Sequence, residues 1–205
     1  MNLPNKLSLL RIILIPVTLI FMLPISVYGF VPQGWNAFIA DHGMLIAAAV
    51  FIIASITDCL DGKIARKYNL ITNLGKFLDS LADKVLVIAV FIAFVALGRV
   101  SAWLLTIIIL REFMVTGIRM MAATEGNVMA AKMIGKVKTV TQMIALIYLL
   151  FEPTILKIFK MDHVYPLETS PVTVVGDVLV IICVAMTVIS GIDYLVKNIN
   201  YLKEK

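Results

Sequence analysis

Long apolar runs recur along the whole of this 205-residue chain, at about residues 12–30, 43–60, 75–97, 102–123, 133–151 and 172–192. Each is close to the roughly 20 residues that carry a helix across the hydrocarbon of a bilayer. Inside lipid no water is at hand to bond a bare N–H or C=O, so a spanning segment of this length must satisfy its own backbone as a helix. With 61% hydrophobic residues and a mean hydropathy of +1.00, the chain lies well beyond the roughly 45–50% apolar content of soluble domains. The expectation is an all-α integral membrane protein with six transmembrane helices and a short N-terminal interfacial segment. The loops left over are too short for a separate soluble domain, so residues 1–205 read as a single membrane domain.

Local signals add detail. Residues 1–11 mix Pro4, Lys6, Ser8 and Arg11 with leucines and suit a membrane interface. Pro16 and Pro24 interrupt the first run and imply a kinked helix that ends near Pro24. A cleaved signal peptide is the competing reading of that run; its length, and the lack of an Ala-x-Ala-like site after it, argue against it. Pro32, Gly34, Trp35 and Asn36 mark residues 31–42 as a loop with an interfacial aromatic. Thr72 or Asn73 is placed to cap the third span. Thirteen lysines and arginines fall in the terminal segments and the loops around residues 61–76 and 119–138, against Arg99, Lys157 and Lys160 in the opposite loops. By the positive-inside rule both termini then face the cytoplasm, in the cell membrane. Cys59 and Cys183 sit in apolar runs as buried thiols, and His42 and His163 lie in outward loops with no chemistry assigned to them.

Against this background one stretch stands out. Four of the chain's thirteen carboxylates fall between residues 58 and 83. Asp58 and Asp61 are three apart and Asp79 and Asp83 four apart, so on two helices each pair shares a face. Both pairs approach the same membrane surface, one at the end of the second span and the other at the start of the third. Four carboxylates drawn together would repel unless some were protonated or hard divalent cations lay between them. As helix caps or loop residues, four on two helices would be costly at membrane depth. An ion or proton transporter is a second reading, although it would want carboxylates along the path and not only at one surface. Phosphoryl transfer is the third: carboxylates holding two cations clamp a diphosphate for in-line attack. Gly62 and Gly75 allow close approach to the backbone, and Arg66 can pair with a phosphate.

The pattern Asp58-x-x-Asp61-Gly62-x-x-Ala65-Arg66, eight residues, Gly75-x-x-x-Asp79-x-x-x-Asp83 resembles the signature of the CDP-alcohol phosphotransferase family at all eight positions. The stretches Pro4 to Arg11, Arg111-Glu112 with Thr116-Gly117-x-Arg119, and Gly135-Lys136-x-Lys138-Thr139 are similar to one bacterial branch of it, whereas the sixth span matches only in being apolar. The resemblance implies a six-helix membrane enzyme, commonly a homodimer. It would transfer the phosphatidyl group of CDP-diacylglycerol to sn-glycerol 3-phosphate, giving phosphatidylglycerophosphate and CMP in phospholipid biosynthesis. It further implies that Asp58, Asp61, Asp79 and Asp83 hold two divalent cations, Mg2+ or Mn2+, and that Asp83 is also the general base. Gly62, Ala65, Arg66 and Gly75 would line the CDP-lipid site. Partners are then the two substrates, membrane lipid and a second copy of the chain, with no nucleic acid. Other acceptors stay open, among them inositol phosphate, serine and phosphatidylglycerol.

A glycerol phosphate acceptor is close to a dianion and calls for cations. Lys132 and Lys136 are four apart, Thr139 continues their face, and Lys138, Arg111 and Arg119 lie nearby in sequence. Loop charge alone accounts nearly as well for Lys132 and Lys138. Arg111 lies inside an apolar run, where a substrate role competes with a structural ion pair between Glu112 and another helix.

Overall fold

The computed structural model describes residues 3–26, 30–67, 73–124, 133–160 and 170–198, with side chains given except at 3–4, 58–67, 73–74, 76–77, 79–80 and 124. The regular elements are helices: α1 (Leu3–Met22), α2 (Gln33–Phe38), a π-helical turn (Ile39–Gly43), α3 (Met44–Lys67), α4 (Asn73–Ala96), α5 (Ala102–Thr124), α6 (Met133–Ile158) and α7 (Pro171–Lys197). The fold is therefore all-α and of membrane type. Four stretches are long and apolar enough to cross a bilayer: Asn5–Met22, Gln33–Thr57, Met133–Ile158 and Pro171–Lys197. At 24 and 23 residues α4 and α5 have the length as well, about 35 Å at 1.5 Å per residue. They carry Asp79, Asp83 and Lys84, and Arg111, Glu112 and Arg119, inside that length. Composition alone thus assigns four spans among the described residues, where the sequence reading expects six.

The N-terminal segment expected at the interface is helical. Residues 3–11 are the first turns of α1 itself, and their buried positions continue along one face: Asn5, Ser8, Arg11, Ile15, Thr18 and Met22. That spacing of three and four residues is one helix stripe. Pro16 is accommodated inside the helix, which stops at Met22, short of Pro24. The loop expected at 31–42 is corrected, since α2 and the π-helical turn run without a break into α3. Pro32 sits just before α2 with φ −72° and ψ 90°, where its missing N–H deprives the helix of nothing. Asn36, expected as a turn residue, clamps the segment after α1 instead: its Oδ1 accepts from the Ile25 N–H and its Nδ2 donates to the Ile25 carbonyl, both at 3.0 Å. Trp35 packs between Phe21 and Phe38 with its ring tilted to both, and Phe38 stacks on His42. The wide turn falls where Gly43 meets α1 so closely that a Cβ there would lie 2.2 Å from the Phe21 carbonyl oxygen.

The chain divides into two compact units. The first comprises Met1–Arg99 and Leu146–Leu167. In it α1 packs along both α3 and α4, and Ala47, Ala48, Phe51, Ala54, Leu86, Val90, Phe91 and Phe94 are buried. Helix α4 ends in a Schellman arrangement: Gly98, at φ +72°, donates to Val95 and Arg99 to Phe94. This turn sets Arg99 to grip Glu152 of α6 with two bonds, Nε to Oε1 at 2.7 Å and Nη2 to Oε2 at 2.9 Å. The second unit comprises Val100–Ala145 and Glu168–Lys205. Its core joins α5 to α7 through Val115, Ile118 and Tyr194, with Met114 and Leu195 against them. Ser170 and Thr173 form a capping box that starts α7, with Pro171 in the first turn.

Candidate functional site

Asp58, Asp61, Gly62, Ala65 and Arg66 all lie in the last three turns of α3, so one continuous helix carries the first half of the signature. Gly75, Asp79 and Asp83 lie in the first three turns of α4, and Asp79 and Asp83 are one turn apart on it. Both helices pack on α1 and touch each other. Asp83 and Gly75 are half-buried. The side chains of Asp58, Asp61, Ala65, Arg66 and Asp79 lie outside the described residues, and so do Thr72 and Lys132. Among the described residues no three His, Cys, Asp or Glu side chains gather as a metal-binding group; three of the four expected carboxylates fall outside that set. The chemistry of the donor set fits hard divalent cations, because all four side chains offer carboxylate oxygens and no sulfur or imidazole.

Of the cations proposed for an acceptor phosphate, the second unit brings Arg111 and Lys138 together. The link is Glu112, whose Oε1 accepts from Arg111 Nη1 at 3.2 Å and from Lys138 Nζ. Helix α5 thus reaches α6 through an ion pair, the structural alternative weighed for Glu112. All three side chains are 11% exposed or less, and both cations meet the one Glu112 carboxylate. Arg111 Nη2 also donates to Ser190 Oγ of α7 at 2.5 Å, while its buried Nε has no hydrogen-bond partner among the described residues. Arg119, two turns along α5, is exposed; it bonds Tyr194 Oη through Nε at 3.2 Å and sits 5.4 Å from that ring's centre. Lys136 is exposed and Lys138 buried, so it is Lys138 that α6 turns into the protein.

Several groups escaped the sequence reading. Ser190 and Tyr194 are among them, since a serine and a tyrosine in an apolar run look like ordinary span residues. The burial of Asn5, Ser8 and Arg11 is another, and their spacing of three is the signal in the sequence that points to it.

Residues 1–189 match the family model described as CDP-alcohol phosphatidyltransferase. A relative from Bacillus subtilis (strain 168) is 44% identical over 202 residues, covering 98% of this chain and 97% of the relative. One from Rickettsia felis is 33% identical, covering 94% and 93%, and one from Escherichia coli (strain K12) is 37% identical, covering 75% and 79%. All three carry the name CDP-diacylglycerol–glycerol-3-phosphate 3-phosphatidyltransferase.

Proposed function

We infer, from the premise that this chain belongs to the CDP-alcohol phosphatidyltransferase family, that it is a membrane transferase acting on CDP-diacylglycerol and sn-glycerol 3-phosphate. The acceptor hydroxyl attacks the phosphorus next to the diacylglycerol, the bond to CMP breaks, and phosphatidylglycerophosphate and CMP result. The observation that carries this is the eight-position signature, intact in a chain so similar to its relatives over nearly its whole length.

Asp58, Asp61, Asp79 and Asp83 would hold two divalent cations, Mg2+ or Mn2+. When bound, these supply charge neutralisation at the diphosphate and at the departing oxygen of CMP. Asp83 takes the proton from the acceptor hydroxyl as the general base. Gly62 and Gly75 keep side chains away from the nucleotide, Ala65 fills little space beside it, and Arg66 pairs with a phosphate oxygen. Arg111, Arg119, Lys132, Lys136 and Lys138 are the cations for the acceptor's phosphate, and the meeting of Arg111 and Lys138 at Glu112 supports that role. We place six spans in the cell membrane with both termini and the carboxylates on the cytoplasmic side, and we expect a homodimer.

The test is CMP release by purified protein with magnesium and CDP-diacylglycerol against a panel of acceptors. Release on adding sn-glycerol 3-phosphate, and not serine, inositol phosphate or phosphatidylglycerol, is the expected result. Release with serine alone would overturn the acceptor, and cation flux in sealed vesicles without CMP would favour transport.

A further inference from the structure

The family match ends at residue 189, yet the next two residues of α7 are shaped around a side chain assigned to the acceptor. Ser190 is buried and gives its hydroxyl oxygen to Arg111 Nη2. Gly191, one residue on, clears the way for the stem of the same arginine: a Cβ there would stand 3.0 Å from Arg111 Cγ and 3.3 Å from Met114 Cε. From the other side Gly135 of α6 faces the same guanidinium, with Arg111 Nη2 4.0 Å from where a Cβ would stand, an ordinary contact distance. Glu112 then fixes Nη1 and shares its carboxylate with Lys138.

Guanidinium groups recognise phosphate through a planar fork of donors, so the orientation of the plane matters as much as the charge. With Nη1 held by Glu112 and Nη2 by Ser190, the plane of Arg111 has one setting, and its Nε donor is still unspent. A purely structural ion pair needs no such third anchor on α7.

We propose that the Ser190–Gly191 step of α7, together with Glu112, positions Arg111 and Lys138 for the phosphate of the acceptor, and so sets selectivity for a phosphorylated alcohol. This deepens the acceptor-site reading above and rests on it. Ser190 and Glu112 are positioning residues: they act through the two cations and not on the reacting atoms.

The experiment measures kcat and both KM values for the full chain purified in detergent, with Ser190→Ala, Ser190→Thr, Gly191→Ala and Arg111→Lys. Ser190→Ala is expected to raise the KM for sn-glycerol 3-phosphate about tenfold, the scale of one hydrogen bond to a charged group, with kcat and the KM for CDP-diacylglycerol held within about twofold. Ser190→Thr, which keeps the hydroxyl, should recover most of that loss, and Gly191→Ala should resemble Ser190→Ala. If Arg111→Lys raises the acceptor KM and Ser190→Ala does not, the positioning role is overturned while the acceptor site stands. If neither raises it, the acceptor reading itself falls. Equal losses for both substrates, or a loss of thermal stability with unchanged KM values, would reduce Ser190 to a packing residue and overturn the proposal.

Discussion

Replacing Glu152 by glutamine tests the packing of the first unit at its most committed polar contact. Arg99 meets both carboxylate oxygens, at 2.7 and 2.9 Å, and the two side chains are 7% and 0% exposed. The substitution keeps the shape of residue 152 but removes the negative charge, so the buried guanidinium loses the attraction of that carboxylate. Removing one partner of a buried pair costs about 3–5 kcal/mol. The amide oxygen can still accept one of the two bonds, which puts Glu152→Gln near the lower end, about 3 kcal/mol. For a chain of this size that lowers Tm by about 6–12 °C. The assay is thermal unfolding in detergent, followed by intrinsic fluorescence or size-exclusion recovery. The double variant Arg99→Met with Glu152→Met removes both members of the pair and should regain most of the loss, giving a large coupling in the double-mutant cycle. A Tm for Glu152→Gln within about 2 °C of the parent, or additive single effects, would refute the reasoning.

Other expectations follow from the same coordinates and from the proposed chemistry. Gly43→Ala forces a methyl onto the Phe21 carbonyl, which being backbone cannot swing aside; a loss of about 1–3 kcal/mol should show in the same unfolding assay. Asp83→Asn should abolish CMP release while CDP-diacylglycerol binding, measured by equilibrium binding, is largely kept; near-normal turnover would remove Asp83 as the base. Treatment with EDTA should stop CMP release and added Mg2+ or Mn2+ restore it, and full activity after chelation would count against the carboxylates as cation ligands.

Much of this protein is legible along the chain because its main determinants are local. Apolar runs of bilayer length dictate helices wherever they occur, and the observed starts of α5 at Ala102 and α6 at Met133 coincide with where those runs begin. In residues 58–83 the separation along each helix decides which carboxylates share a face, and the proposed cation chemistry starts from that pattern. Turn signals misled at residues 31–42 for a physical reason: Pro32, Gly34 and Asn36 favour a loop in water, whereas here Asn36 found its partners in the backbone of Ile25 and the helix continued. Only the tertiary structure decided that Arg99 belongs with Glu152, that Glu112 joins Arg111 to Lys138, and that Ser190 and Tyr194 serve the arginines of α5. Those pairings join residues 26 to 79 positions apart. They depend on how each helix is rotated about its axis and how closely its neighbour can approach, which no short window of sequence encodes.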